Sequence, residues 1–222
     1  MDNDSGYAIH PQIFPRSHMT CVVNDLATAA VERTKAGARH VLSVPVVREL
    51  ARDSRLLDIA RQFVGDTPVP FRATLFDKSP KSNWLVVWHQ DTALPLCERV
   101  DTPGWGPWST KAGVLYAHAP AWALKQVVAV RVCLDDSTNT NGPLRVLPNT
   151  HRQGVLTDEQ VAHIVRDATP IDCVAEAGGI VVMRPLTIHA SSKSTAPQPR
   201  RVLHIEYAST FHLGGGASLA VG

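Results

Sequence analysis

The sequence predicts a mainly β protein with flanking helices, in which an antiparallel sandwich or barrel follows an N-terminal helical portion. Short apolar runs, broken by Pro, Gly and Asn, recur from residue 71 to residue 207. They do not alternate with helices, so a parallel α/β sheet is disfavoured. Before residue 71, apolar residues recur at helical spacing instead. Jelly-roll and cupin folds are the members of this class that often enclose a metal.

The individual elements follow from local signals. Asn24 or Asp25 can cap a helix over residues 26–36 that ends at Gly37, and residues 46–64 show helical spacing before Gly65. A capping box at residues 157–160 opens a later helix over residues 161–165. The apolar runs predict strands over residues 71–76, 84–89, 127–134, 144–147, 179–183 and 200–207.

Length and charge bound the function. The 222 residues and 44% hydrophobic content suit one domain over residues 1–222, with a helical part over about 1–70 and a β core over about 71–208. The 22 basic and 20 acidic residues give a net charge of +2, and no basic block stands out. We therefore expect a small-molecule partner and no nucleic acid.

Cysteine usage and the amino terminus indicate a cytoplasmic protein. The four cysteines are widely spaced without a Cys-x-x-Cys pair, and the first five residues lack the basic and apolar regions of a signal peptide. Reduced thiols are therefore expected. The longest apolar runs fall short of the roughly 18 residues that a membrane span requires, so no membrane partner is expected.

His89 and Asp91 form the most informative motif in the chain. Residues i and i+2 of an extended strand project from the same face, so the imidazole and the carboxylate can reach one point. His189 lies 100 residues downstream, after the apolar run that ends at Met183. Two histidines and one carboxylate leave coordination positions open, which suits non-haem Fe(II). A His-x-Asp pair alone is a weak pattern, and its context decides its meaning.

That context is a set of motifs in a fixed order. Two aspartates at 135–136 precede the segment NGPLRVLPNTHR at residues 141–152, and Arg200 lies eleven residues past His189. With the His-x-Asp pair, these residues resemble the phytanoyl-CoA dioxygenase-like (PhyH) family of Fe(II)/2-oxoglutarate-dependent oxygenases. The resemblance covers residues 71 to 207 and depends on the combination of motifs.

The resemblance implies a double-stranded β-helix and a set of ligands. His89, Asp91 and His189 would bind Fe(II), with 2-oxoglutarate and O2 as co-substrates. The interval of eleven residues selects Arg200 for the far carboxylate of 2-oxoglutarate, because a guanidinium pairs with a carboxylate through two parallel hydrogen bonds. In halogenating relatives a small residue replaces the carboxylate ligand, so Asp91 indicates hydroxylation or a related oxidation.

Two further residues are candidates for co-substrate binding. Ser191, two residues past His189, could offer a hydroxyl, and Lys78 lies eleven residues before His89, where some relatives place a lysine. A solvated loop position is the alternative for both, and a surface charge is the alternative for Arg200. Arg201 must point to the opposite face of a regular strand, so only one of the two arginines can bind the co-substrate.

The tryptophans supply a candidate substrate wall. All five fall between residues 84 and 122, and core packing accounts for at least half of them. Trp105 and Trp108 lie in a segment rich in Gly and Pro, which predicts a loop with exposed rings that covers the substrate. His204 has the strand parity of Arg200 and could line the cavity, although a hydrogen-bonded core histidine is the simpler interpretation.

The sequence therefore predicts a 2-oxoglutarate-dependent non-haem iron dioxygenase that hydroxylates or otherwise oxidises a C–H bond of a small organic molecule, releasing succinate and CO2. Two alternatives stay open. One is a cupin-type isomerase, lyase or hydrolase that uses Zn or Mn at the same residues, and the other is a non-catalytic jelly-roll binding protein. The sequence names neither the substrate nor the oligomeric state, and its shortness disfavours a bulky CoA ester.

Overall fold

The computed structural model of the protein describes residues 5–222. The helices are α1 (Arg16–Thr28), α2 (Pro45–Ala51), α3 (Ser54–Val64), α4 (Ala121–Leu124) and α5 (Asp158–Asp167). The strands are β1 (Tyr7–His10), β2 (Arg33–Thr34), β3 (Gly37–Ala38), β4 (Val69–Lys78), β5 (Val86–His89), β6 (Ala93–Leu96), β7 (Trp108–Lys111), β8 (Val114–His118), β9 (Val127–Cys133), β10 (Leu144–Val146), β11 (Ile171–Cys173), β12 (Ile180–Met183), β13 (His189–Ser191), β14 (Arg200–Ala208), β15 (His212–Gly214) and β16 (Ala217–Ser218). Short 3₁₀ helices span Val41–Ser43 and Thr150–Gln153.

Two antiparallel sheets form the body of the protein. The larger has seven strands in the order β1-β12-β9-β14-β4-β3-β2, and the smaller has four in the order β11-β10-β13-β5. A three-stranded sheet, β6-β8-β7, and the hairpin β15-β16 add to them. The predicted double-stranded β-helix is confirmed, because two antiparallel sheets lie on either side of one cavity.

The two faces of the large sheet have different environments: one packs against helices and the other lines a cavity. Outward residues of β9 and β14, such as Val130 and Leu203, pack against helical residues including Met19 and Leu56 in one apolar cluster. Because side chains alternate along a strand, the residues between them face inward. Several of those inward residues are polar and line a cavity, as described below. The helices thus cover one face of the sheet and leave the other for the site.

The N-terminal helices differ from the prediction. The helix predicted over residues 26–36 is wrong, because α1 ends at Thr28 and a hairpin of β2 and β3 follows. Gly37 lies in the hairpin at φ +127°, where an added Cβ would lie 1.9 Å from the Leu75 carbonyl oxygen. The helix predicted over residues 46–64 is two helices, since Asp53 caps a new one by accepting a hydrogen bond from the Arg55 amide.

The later elements match the prediction more closely. Each of the six predicted strands has an observed counterpart within about two residues at each end. The capping box is confirmed, with Thr157 accepting from the Gln160 amide at 3.2 Å and the Gln160 side chain accepting from the Thr157 amide at 2.8 Å. Strands β1 to β3 also lie in the portion expected to be helical. Among residues 5–222, no helix combines the length and apolar character of a membrane span.

Candidate metal centre and its cavity

His89, Asp91 and His189 lie together. Strand β5 pairs with β13 in the register that sets His89 opposite His189, so an antiparallel ladder brings two imidazoles 100 residues apart side by side. Their ring centroids are 4.3 Å apart. Each Nε2 is 3.5 Å from an oxygen of Asp91. One ligand atom from each residue lies within 4.8 Å of the others, a spacing that can hold one metal ion.

Both imidazoles are held in the orientation that a metal ligand needs. The Nδ1 of His89 contacts the Val87 carbonyl at 2.8 Å, and the Nδ1 of His189 contacts the Thr187 carbonyl at 2.9 Å. A carbonyl accepts, so each ring carries its proton on Nδ1 and turns the Nε2 lone pair toward Asp91. Carbonyl partners of this kind orient the histidine ligands of metal sites.

The charge states of His189 and Asp91 suit a metal. Burial alone would lower the pKa of His89, but contact with Asp91 outweighs this effect, so the pKa of His89 is raised. Burial lowers the pKa of His189 to about 4, against the opposing charge of Asp91, so this ring is neutral near pH 7. Burial alone would raise the pKa of Asp91, but His189 and His89 hold it below its usual range, so the carboxylate is ionised. Neutral imidazole and ionised carboxylate are the forms that bind metals.

Gln90 anchors the turn that carries the pair. Its side-chain amide donates to the carbonyls of Gly154 and Leu186, at 2.9 and 2.8 Å, and accepts from the Leu156 amide at 2.8 Å. The Asp91 amide donates to the Pro185 carbonyl at 2.9 Å. The middle residue of the motif thus fixes the backbone while its two neighbours present ligand atoms.

The three residues open into a cavity of about 340 Å³ between the sheets. Arg200 lines it, and both Arg200 and Lys78 are buried. They face each other directly across the β14–β4 ladder. Like charges at opposed positions of a ladder repel. Burial, with Arg200 and Arg131 nearby, lowers the pKa of Lys78 to about 8, and burial, with Arg131 nearby, lowers the pKa of Arg200 to about 10.

Ser191 holds the lysine in place. The Lys78 ammonium donates to the Ser191 hydroxyl at 2.8 Å and to the Ser192 carbonyl at 2.5 Å. The same hydroxyl donates to the Gly142 carbonyl at 2.8 Å. Since its proton is already engaged there, Ser191 positions the lysine rather than offering a free donor to the cavity.

Arg200 and Arg201 occupy opposite faces of β14. Arg200 donates from Nε to the Asn141 carbonyl at 3.1 Å, which leaves its two terminal nitrogens for other partners. Arg201 instead forms a bidentate ion pair with Asp135, with both N–O distances at 2.7 Å. The alternation used to separate the two arginines therefore holds in the structure.

The tryptophan segment lies away from the cavity. The expectation of an exposed Trp105 ring is wrong, because Trp105 is 9% exposed and belongs to a hydrophobic cluster with Leu94 and Leu124. Trp108 begins β7 and packs against the same cluster. Neither ring is among the cavity-lining residues, so a substrate contact by these rings has no geometric support. Trp84 does line the cavity, with the Lys78 ammonium 5.3 Å from its ring centroid.

Sequence reasoning missed several residues of the cavity. Arg131 is buried on β9, lies over the Phe76 ring and donates to His204 Nδ1 at 2.8 Å. A single arginine inside a buried apolar run was the available signal. His204 lines the cavity, as its parity allowed. Gly142, considered in the sequence only as part of the family motif, approaches Lys78 so closely that a Cβ there would lie 3.1 Å from the ammonium and 2.2 Å from the Ser192 oxygen.

Fold and site together define a class: a double-stranded β-helix with a two-histidine, one-carboxylate candidate metal centre facing buried cations. Comparisons with known proteins specify this class further. The family model described as phytanoyl-CoA dioxygenase (PhyH) matches residues 22–202. This chain therefore belongs to the phytanoyl-CoA dioxygenase family, as the sequence motifs predicted.

Individual relatives share about a quarter of their aligned residues with this chain. The chain is 26% identical over 192 residues to the ectoine dioxygenase of Bordetella bronchiseptica, covering 77% of this chain and 55% of the relative. It is 23% identical over 188 residues to the L-proline trans-4-hydroxylase of Streptomyces griseoviridis, covering 73% of this chain and 62% of the relative. It thus spans little more than half the length of the ectoine enzyme.

A solved structure shows the same fold. The crystal structure of EctD from S. alaskensis with 2-oxoglutarate and 5-hydroxyectoine superposes with a TM-score of 0.71 at 20% identity. The match covers 93% of this chain and 73% of that one. At this identity the likeness concerns the architecture.

Proposed function

We propose that this protein is an Fe(II)- and 2-oxoglutarate-dependent dioxygenase that hydroxylates or otherwise oxidises a C–H bond of a small organic molecule, with release of succinate and CO2. One observation carries the proposal. The three donors and Arg200 line one cavity, and Lys78 faces Arg200 across the β14–β4 ladder and donates to the cavity residue Ser191. The three donors suit a metal ion, and the two cations, which have no carboxylate partner among residues 5–222, suit an anion bound beside it.

The metal role belongs to His89, Asp91 and His189. Two imidazoles and one carboxylate on one side of a metal leave positions for further ligands, the arrangement typical of non-haem Fe(II) oxygenases. When bound there, Fe(II) would supply the site at which O2 reacts with the co-substrate. The protein's part is to fix the three donors, which the two carbonyl contacts and the Gln90 anchor do.

The co-substrate role belongs to Arg200 and Lys78, with Ser191 positioning Lys78. Two buried cations facing each other are costly unless an anion lies between or beside them. A dicarboxylate fits this demand because one end can reach the metal and the other the cations. The free terminal nitrogens of Arg200 suit a bidentate carboxylate contact. Arg131 lies near both Arg200 and Asp91, so it adds positive charge between the two ends.

The relatives support the same chemistry, since the matching proteins include a dioxygenase, a hydroxylase and a structure with bound 2-oxoglutarate. A zinc- or manganese-dependent isomerase, lyase or hydrolase would use the same donors without needing the Arg200–Lys78 pair. A non-catalytic binding protein would need neither the three metal donors nor the Arg200–Lys78 pair. The following experiment separates all three.

The test is an anaerobic titration with Fe(II) and 2-oxoglutarate. We expect a visible metal-to-ligand charge-transfer band that needs both components, because the three donors leave adjacent positions for a bidentate ligand. His189→Ala should abolish the band, and Asp91→Asn should weaken metal retention by removing a negative charge. Admitting O2 should then yield succinate.

Arg201→Ala is the control variant and should leave the band unchanged. It removes a cation from the same strand as Arg200, but from the face that points away from the cavity. An equal band in a protein lacking all three donor side chains would refute the metal assignment. Metal binding without any response to 2-oxoglutarate would favour the isomerase, lyase or hydrolase alternative.

A further inference from the structure

A second group of cations lies along the cavity, apart from Arg200 and Lys78. Arg39 follows β3 and Lys111 ends β7, and both line the same cavity as the metal ligands. Both are solvent-exposed, whereas Arg200 and Lys78 are buried, so Arg39 and Lys111 mark the mouth of the cavity. Two elements distant in sequence thus each supply one cation to the mouth.

The mouth has more positive than negative charge. The Lys111 ammonium lies 5.1 Å from the Tyr116 ring centroid, and the Arg72 guanidinium lies 5.5 Å from the same centroid. Arg72 is neutralised by a bidentate contact with Glu206, one arm of which measures 2.6 Å. Within residues 5–222, neither Arg39 nor Lys111 forms an ion pair with a carboxylate.

The cations at the mouth repel one another. Partial burial and then the nearby charges of Arg39 and Arg72 lower the pKa of Lys111, against a smaller opposing effect of Asp91. Placing like charges together without a partner is unfavourable, and a ligand of opposite charge removes the cost. The carboxylates that line the cavity are committed elsewhere, since Glu206 pairs with Arg72 and Asp91 belongs to the candidate metal centre.

We propose, on the basis of the function above, that the primary substrate carries an oxyanion, a carboxylate or a phosphate, which Arg39 and Lys111 bind at the cavity mouth. The deeper cations are already assigned to 2-oxoglutarate, so the outer pair serves a second anion. Substrate held by its anionic end at the mouth extends its carbon skeleton inward toward His89, Asp91 and His189. The cavity lies near the lower end of the roughly 300–1,000 Å³ typical of ligand pockets and is shared with the co-substrate, so the skeleton is small.

The test uses three probes with one skeleton: cyclohexanecarboxylate, cyclohexyl phosphate and the neutral cyclohexanecarboxamide. Each is added to protein loaded with Mn(II) and saturating 2-oxoglutarate, so that the inner cations are already occupied. Paramagnetic relaxation of the probe protons reports binding beside the metal. We expect at least one anion to be relaxed far more than the amide, and the stronger anion distinguishes carboxylate from phosphate.

Variants test the two residues. Arg39→Gln and Lys111→Gln should each weaken anion binding by about fivefold, the upper range for a solvent-exposed ion pair. Lys125→Gln removes the same charge from an exposed position outside the cavity and should change nothing. The inference is overturned if the amide binds as well as the anions, if neither anion is relaxed, or if both variants behave like Lys125→Gln.

The Fe(II)–2-oxoglutarate band, recorded on every variant, separates this inference from the proposed function. A band present in all variants without any anion preference overturns only the substrate assignment. A band missing from the wild type overturns the proposed function and, with it, this inference.

Discussion

Arg200 and Arg201 are sequence neighbours with opposite environments, and this contrast defines the site at the scale of single residues. Strand alternation sends Arg200 into the cavity, while Arg201 is neutralised by Asp135 on the other face. The consequence extends to Lys78 across the ladder, where two buried cations are left facing each other. The capacity to bind an anion here comes from Arg200 and Lys78, two cations that are buried without a carboxylate partner in the described part of the chain.

The first prediction at this scale concerns co-substrate affinity. Arg200→Ala should raise the Kd for 2-oxoglutarate by roughly tenfold to a hundredfold, because it removes a charge-assisted contact worth about 1.5–3 kcal/mol. Arg201→Ala should leave that Kd nearly unchanged while losing its pair with Asp135. Titration of the charge-transfer band measures both. Equal effects at the two positions would contradict the assignment.

The second residue-scale prediction concerns pH. The pKa of Lys78 is lowered to about 8 by burial and by Arg200 and Arg131, so its ammonium is charged below that pH and neutral above it. A dicarboxylate binds the charged form better, so 2-oxoglutarate affinity should fall as the pH rises from 7 through 9. The free energy of unfolding of the ligand-free protein has the opposite pH dependence. Because the lysine pKa is lower in the folded state, stability should rise between about pH 8 and the unfolded-state pKa near 10.4.

Lys78→Met provides the control for this pH dependence. Its affinity for 2-oxoglutarate should be lower at pH 7 and should change little up to pH 9. Calorimetric titration of the Mn(II)-loaded protein under argon gives both profiles. If wild type and variant fall in parallel, another group causes the dependence.

At the scale of elements, strands with a strong local sequence pattern could be predicted, whereas the pairing of strands distant in sequence could not. The apolar runs identify β9 and β12 because burial on both faces leaves a nearly continuous local signal, and β14 because apolar residues alternate with polar ones over residues 203–207. Helix α1 escapes prediction because it begins after Pro15 without a capping side chain, and the expected caps at Asn24 and Asp25 lie inside it. The register between β5 and β13 is non-local, so only the family motif indicated that His89 and His189 meet.

The tryptophan segment shows the same limit. Its glycines and prolines favour a loop, but loop composition does not reveal which rings are buried by distant residues. Trp105 packs edge-on against Trp122, with ring centroids 6.1 Å apart, inside the cluster that also holds Leu94. Tertiary packing of β6 and β8, not local sequence, decides its environment.

The element-scale prediction follows from this packing. Trp105→Ala should lower the free energy of unfolding by about 3–5 kcal/mol, the usual cost of removing a large buried aromatic side chain. Trp122→Ala should cost much less, because that ring is 41% exposed. Denaturant unfolding measures both, while folded protein of each variant should keep its 2-oxoglutarate affinity. A Trp105→Ala variant of normal stability with impaired substrate binding would restore a substrate role for this ring.

At the scale of the whole molecule, the candidate site joins two sheets. The small sheet supplies His89 and His189 through β5 and β13, and the large sheet supplies Arg200 and Lys78 through β14 and β4. The helices pack against the outer face of the large sheet. One direct contact is the hydrogen bond that the Tyr207 hydroxyl on β14 donates to the Ala51 carbonyl of α2 at 2.8 Å. A metal held by the three donors would touch only the small sheet and the turn after β5, whereas in the proposed arrangement a dicarboxylate bound to that metal would also touch the large sheet.

The last prediction uses this division between the sheets. Metal and 2-oxoglutarate together should raise the Tm above the value with metal alone, because a ligand that binds only the folded state stabilises it by about 2.7 kcal/mol at a hundredfold excess over its Kd. For a chain of this size that corresponds to a further shift of about 5–10 °C. Arg200→Ala should keep the shift caused by metal but lose most of the increment from 2-oxoglutarate, and His189→Ala should lose both. Thermal unfolding followed by circular dichroism, with Mn(II) as the metal, gives the three Tm values needed for each protein: without ligand, with metal, and with metal and 2-oxoglutarate. A full 2-oxoglutarate increment in Arg200→Ala would show that the co-substrate is held by the small sheet alone, and the bridging arrangement would be wrong.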